Sequence, residues 1–301
     1  MGEFLCYNAS IETERDKKSP SATERNHIMK KFLSLVLVAL MLLTVVSMTS
    51  CAKEKTLDDI KAAGVLVMYT EAGFAPYEFL YENEIVGVDI EIMKKVAEKI
   101  GVELQIEDVL FDNIIGSVQS GKADAGAAGI TINAERLEEV NFSVPYASTE
   151  QYVIVKADNT EITTLETLKG KEIGVQQGTT SDFMIEDLIQ DGTLEGSKLT
   201  PYNAPAIAAA SLGKIDAVVT DKLTALNIAA NSNGAYKTFK LVKADGSDAA
   251  EVEEYGIAVN KKNAELLAVI NEVLNELIAD GSITAWENQY NELYSGLEAA
   301  E

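Results

Sequence analysis

The sequence predicts an α/β fold of two doubly wound lobes joined by a two-segment hinge, with a ligand cleft between them. Three observations carry this. Strand-like and helix-like segments alternate through most of the chain, the pattern of βαβ units. The alternation runs twice, once before and once after "YASTEQYVIVK", and two such series point to two layered units. Finally, "EEYGIAVN" adds a strand after the second series, and its return to the first lobe makes a second crossing.

In chain order, "GVLVMYT" (64–70) is apolar and β-branched, as a buried strand is. "VDIEIMKKVAEKIG" (88–101) sets Ile92, Met93, Val96 and Ile100 on one helical face and stops at glycine. "VELQIED" (102–108) alternates as a strand, "FDNIIGSVQSGK" predicts a helix, "ADAGAAG" a short buried strand and "INAERLEEV" a helix. The second series predicts a helix over 163–169, a strand in "KEIGVQ" and a helix from Thr180 to Gln190. A helix in "APAIAAASLGK", a strand in "IDAVVT" and a helix from Asp221 to Asn231 follow. "EEYGIAVN" is expected as one strand, and "NAELLAVINEVLNELIADG" as a long helix with Leu266, Ile270, Val273, Leu274 and Leu277 in register. The expected division is 56–146 with 255–301 for the first lobe and 152–250 for the second, with hinge segments near 147–151 and 251–255.

The 301 residues are 47% hydrophobic and 24% charged, enough apolar matter for full cores. "MKKFLSLVLVALMLLTVVSMTSC" (29–51) has two lysines, an apolar run and small or polar residues before Cys51, the layout of an export signal over 29–50. The run from Phe32 to Val46 also reads as a short transmembrane anchor, although it is shorter than the roughly 20 residues of a membrane span. Met48-Thr49-Ser50-Cys51 resembles the lipobox of bacterial lipoproteins, which implies lipid on the Cys51 thiol and a chain anchored to the outer side of a cytoplasmic membrane, as in Gram-positive organisms. Met29 is expected to be the true start, with 1–28 a leader, and 52–55 a linker. Residues 1–51 hold six Lys/Arg and five Asp/Glu of the chain's 25 and 48, which leaves 19 against 43 and a net of −24. Such a surface excludes nucleic acid as a partner. Acids at unspecific spacing predict no metal site, and no cofactor motif is present.

Ligands of open α/β sheets bind beyond the carboxyl ends of strands. There Gly129 allows close backbone approach, Thr131 offers a hydroxyl, and Arg136 is the side chain that pairs a carboxylate bidentately. A surface Arg bridged to Glu135 or Glu139 fits the same spacing. "GVQQGTTSDF" runs from strand to helix, and the helix start at Thr179-Thr180 suits an anion or merely caps itself. Asp221 suits an ammonium group or an N-cap. Phe74 and Phe111 follow strands, where aromatic faces clamp a ligand or simply fill the core. Glu71 by itself is a solvated acid.

"GITINAERLEEVNFSVPY", "FAPYEFLYENEIVGVDIEI", "GKEIGVQQGTT", "KIDAVVTD" and "EYGIAVNK" together resemble the extracellular solute-binding proteins of polar amino acid ABC transporters, family 3, from about Thr56 to Tyr294. The resemblance implies a periplasmic-binding-protein-like fold of type II. It also implies a monomer that captures a free amino acid by lobe closure and docks on an ABC permease. Carried over by motif, Arg136 grips the ligand α-carboxylate with Thr131 and the Thr180 backbone N–H. Asp221 and the Gly129 carbonyl take the α-ammonium. Phe74 and Phe111 sandwich the side chain, and Glu71 reaches its head group. The chain departs from the family at Ala128, Thr220 and Gln176, the last standing where a Lys or apolar residue is usual. Glu71 favours arginine, lysine or ornithine, with glutamine next. A periplasmic dehydratase on the same fold and a sensory amino acid-binding component are the alternatives. The absence of His and Cys after Cys51 favours binding over catalysis.

Overall fold

In the computed structural model, which describes residues 55–297, burial alternates along Val65–Thr70 and is nearly continuous along Glu172–Gln176 and Ala217–Asp221. The expected leader, signal, lipidated Cys51 and most of the linker lie outside these residues. Helix α1 (Leu57–Ala63) opens the description, its Thr56 and Asp59 forming a reciprocal capping box. β1 (Val65–Thr70) alternates half-buried and buried residues. Then come β2 (Gly73–Phe74), β3 (Glu78–Tyr81), β4 (Glu84–Val86), α2 (Val88–Ile100) and β5 (Glu103–Asp108). Ile92, Met93 and Val96 of α2 are fully buried, whereas Ile100 is only partly so. Gly101 ends α2 at φ 77°, a left-handed cap that costs glycine least.

The predicted helix 111–122 is shorter than expected. It splits into a 3₁₀ turn (Phe111–Asn113) and α3 (Ile114–Gln119). β6 (Ala125–Gly126), α4 (Ala134–Glu139), β7 (Val140–Phe142), β8 (Ala147–Thr149) and β9 (Gln151–Lys156) follow. The predicted helix 163–169 is a 3₁₀ turn, Leu165–Leu168. Next are β10 (Glu172–Gln176), α5 (Thr180–Gln190), β11 (Lys198–Tyr202), α6 (Pro205–Ala210), β12 (Ala217–Asp221), α7 (Lys222–Ala230) and β13 (Tyr236–Lys240). The chain closes with β14 (Glu253–Tyr255), β15 (Ala258–Asn260), α8 (Ala264–Ala279) and α9 (Ser282–Leu297).

Two five-stranded sheets result, ordered β5-β1-β6-β15-β7 and β11-β10-β12-β9-β13. Each is parallel on one side and antiparallel on the other, because β15 and β9 run against their neighbours. "EEYGIAVN" is two strands, not one. β14 pairs with β8 to form a separate ribbon, and β15 enters the first sheet between β6 and β7. The break falls at Gly256, whose N–H donates to Ile130 O at 3.0 Å, and where a Cβ would meet Ile132 Cδ1 at 2.9 Å.

α8 buries all five apolar residues expected of it. Leu266, Ile270 and Leu274 are fully buried, and such side chains contribute about 1.5–3 kcal/mol each. β11 and β13, both edges, were not legible because neither carries a clean alternation. β11 carries Pro201, which a central strand does not tolerate, and every residue of β13 is half-buried, so no alternation marks it.

Candidate functional site

The carboxyl ends of β1, β6, β10 and β12 face one slot between the two sheets. Eight of the nine expected site residues line it: Phe74, Phe111, Gly129, Thr131, Arg136, Gln176, Thr180 and Asp221. Ala128 and Thr179 complete the wall. The slot is narrow, with a cavity volume of about 20 Å³, room for about one water molecule. Glu71 joins from the rim, where its Oε2 accepts from Gln176 Nε2 at 3.1 Å.

Arg136 enters from α4, whose first turn is capped by Asn133 Oδ1 accepting from the Arg136 N–H at 2.8 Å. The side chain is buried. Its Nη1 donates to Thr131 O at 2.8 Å and its Nη2 donates across the cleft to Gly178 O at 3.1 Å. The guanidinium lies 5.4 Å over the Phe111 ring, a cation–π distance. These two N–H groups serve backbone carbonyls rather than Glu135 or Glu139, so a surface bridge does not describe the residue. Burial pulls the Arg136 pKa down, while Glu253, Asp221 and Glu135 oppose that and hold the charge.

Gly129 is required twice over. Its φ of 54° is left-handed, and a Cβ there would lie 2.5 Å from Phe74 Cε1. Its N–H donates to buried Asp89 Oδ2 at 2.9 Å, which fixes the turn that follows β6. Thr179, not Thr180, caps α5: its Oγ1 accepts from the Asp182 N–H at 3.3 Å. That leaves Thr180 as the first helical residue, at the end where backbone N–H groups lack intrahelical partners.

Asp221 occupies the N-cap position of α7 but makes no side-chain cap bond. The capping alternative is therefore set aside. Its Oδ1 accepts from Gln151 Nε2 at 3.1 Å, and its Oδ2 accepts from the Tyr255 hydroxyl. Desolvation, followed by the Glu253 charge, pushes the Asp221 pKa up to about 7. Glu71 is not the solvated acid that the sequence suggests. Desolvation raises it to about 7 as well, with Asp108 adding to the rise and the Gln176 bond opposing it.

Three residues of the site escape the sequence reading. Gln151 links Asp221 to Glu253, to which its Nε2 donates at 2.8 Å. Tyr255 is buried and packs edge-on to Phe74, with ring centroids 6.2 Å apart. Glu253 sits in the acid run "EVEE", which reads as surface, yet its Oε2 accepts from Thr131 Oγ1 and Thr180 Oγ1, each at 2.7 Å. No periodicity marks these three, which come from the first residue of β9 and from the short strand β14.

Among known proteins, residues 66–292 match the family model described as bacterial extracellular solute-binding proteins, family 3. The L-cystine-binding protein TcyJ of Escherichia coli (strain K12) is 28% identical over 257 residues, 84% of this chain and 92% of that protein. The solved structure of AbpA, an amino acid ABC transporter substrate-binding protein from Streptococcus pneumoniae bound to L-arginine, matches with a TM-score of 0.72. It is 29% identical and aligns over 79% of this chain and 98% of its own. The ancestral amino acid-binding protein AncCDT-1, a precursor of cyclohexadienyl dehydratase, matches with a TM-score of 0.67 and 31% identity over 78% of this chain and 98% of its own.

Proposed function

We propose a function from a plain premise: this chain belongs to the bacterial extracellular solute-binding proteins, family 3. It captures a polar L-amino acid between its lobes, with basic amino acids favoured and glutamine next, and delivers it to an ABC permease. The observation that supports this best is the polarity of one slot, with buried Arg136 and the α5 N-terminus at one end and Asp221 and Glu71 as acids elsewhere along it. Arg136 receives the α-carboxylate, helped by Thr131 and the Thr180 N–H. Asp221 and the Gly129 carbonyl receive the α-ammonium. Phe74 and Phe111 clamp the aliphatic part, and Glu71, with Gln176 beside it, receives the head group. Two acids, Asp221 and Glu71, against one Arg favour a ligand with an extra positive charge, and the neighbour bound to L-arginine agrees with that choice. The ribbon of β8 and β14 is the hinge, and 56–146 with 255–301 and 152–250 are the lobes. The mature protein works as a monomer held to the outer face of the cytoplasmic membrane by lipid on Cys51.

A thermal-shift screen of the chain from Lys53 onward against the twenty amino acids and ornithine tests the reading. Ligand at a hundredfold excess over Kd adds about 2.7 kcal/mol, roughly 5–10 °C for a domain of this size. A shift with one or a few basic amino acids is expected. No shift with any amino acid would end the proposal. Glu71→Gln is expected to weaken L-arginine by roughly tenfold or more, the worth of one charge-assisted bond, and L-glutamine much less. Equal losses by calorimetry would remove Glu71 from the head-group role.

A dehydratase is the second reading, motivated by Glu71, whose pKa of about 7 suits a general acid, and by the neighbour AncCDT-1. Turnover of prephenate in a discontinuous assay would favour it.

A further inference from the structure

Thr131 and Thr180 stand at the anion end of the slot, Thr180 assigned there through its backbone N–H, and both spend their hydroxyl protons elsewhere. A hydroxyl has one O–H to donate, and both donate to Glu253 Oε2 at 2.7 Å. Gln151 Nε2 donates to the other oxygen, Oε1, at 2.8 Å. Three donors from the loop after β6, the start of α5 and the start of β9 thus converge on one carboxylate.

The main chain holds that carboxylate in place. β14 pairs with β8, Thr131 bridges to Tyr255, and the Ile132 N–H donates to Glu254 O at 2.8 Å. While Glu253 keeps both threonine protons, the hydroxyl oxygens can offer only lone pairs to the slot. Lone pairs suit an ammonium and repel a carboxylate.

We propose that Glu253 is an internal stand-in for the ligand α-carboxylate, holding the two threonine hydroxyls at the anion end of the slot, so that ligand must displace it to gain them. This rests on the amino acid-binding reading. Glu253 thereby sets affinity for the carboxylate end. Because Thr131 follows a strand of the first sheet and Thr180 a strand of the second, the same carboxylate also ties the two sheets together.

Calorimetry on the wild type, Glu253→Ala and Glu253→Gln tests this with two probes, L-arginine and L-argininamide. The amide keeps both cationic groups and lacks the carboxylate charge. Freeing two donors is expected to tighten L-arginine on the order of tenfold in Glu253→Ala and by less in Glu253→Gln, with L-argininamide changing by less than about twofold. The isosteric Glu253→Gln keeps the test open if the alanine variant does not fold. Weaker L-arginine binding in the variants would overturn the inference while leaving the amino acid reading intact. An equal change for both probes would do the same, since it would show that Glu253 does not act on the carboxylate end. Silence toward both probes and toward L-glutamine, in wild type and variants alike, would overturn the two readings together.

Discussion

Arg136→Ala is expected to abolish measurable amino acid binding while the domain stays folded. Two charge-assisted N–H bonds to a carboxylate contribute on the order of 1.5–3 kcal/mol each, so their loss weakens binding by about 10²–10⁴-fold. The guanidinium is buried, lies over Phe111 and reaches Gly178 across the cleft, so nothing nearby can replace it. Arg136→Lys is expected to lose nearly as much, because an ammonium lacks the planar fork. Circular dichroism checks the fold, and loss of the ligand-induced melting shift checks the site. A variant that melts as wild type does, with its ligand shift intact, would show that Arg136 is only a brace.

Affinity for a basic amino acid is expected to fall as pH drops from 8 to 6. Desolvation holds Asp221 and Glu71 at about 7 in the unliganded site, so near neutrality each is about half protonated. A ligand cation needs both ionised, and binding therefore releases protons. Each group with a pKa of 7 costs about tenfold in affinity between pH 8 and pH 6, and the two together about a hundredfold. Calorimetry at pH 6, 7 and 8 reads this directly, and a flat profile would mean that neither carboxylate meets the ligand.

The same two groups affect stability with a defined sign. Their pKa in the fold lies above the unfolded values of about 4, so their contribution to the unliganded fold is complete below about pH 4 and is lost as pH rises through 7. Buried Asp89, raised by desolvation to about 6, acts in the same direction. Ligand cations cancel the loss at Asp221 and Glu71, and the ligand-induced melting shift is expected to be larger at pH 8 than at pH 6.

Elements with a full hydrophobic period were legible from residues alone. α8 shows its five buried positions at helical spacing, and α5 runs from Thr180 to Gln190 as read, because Gly178 and Thr179 mark its start. Elements without such a pattern were not. β11, β13 and the β2–β4 sheet bury no clean face, and α9 was missed behind the stronger pattern of α8. "EEYGIAVN" read as one strand since Tyr255, Ile257 and Val259 alternate through it, and the choice of two partners for its halves is made by strands distant in sequence.

At the site, residue type and position after strands were enough to single out Arg136, Thr131, Gly129 and Asp221, because those features are local. Whether Arg136 faced solvent or a cleft, and whether Asp221 capped α7, turned on contacts with Gly178, Gln151 and Tyr255 that lie up to 70 residues away in sequence. Glu253 marks the limit most clearly. In the text it is one acid among several, and only the approach of β14 to Thr131, Thr180 and Gln151 brings its carboxylate to the donors of the slot. Local chemistry decided which side chains were available, and tertiary structure decided which of them meet, because meeting depends on chain crossings that no short-range pattern encodes.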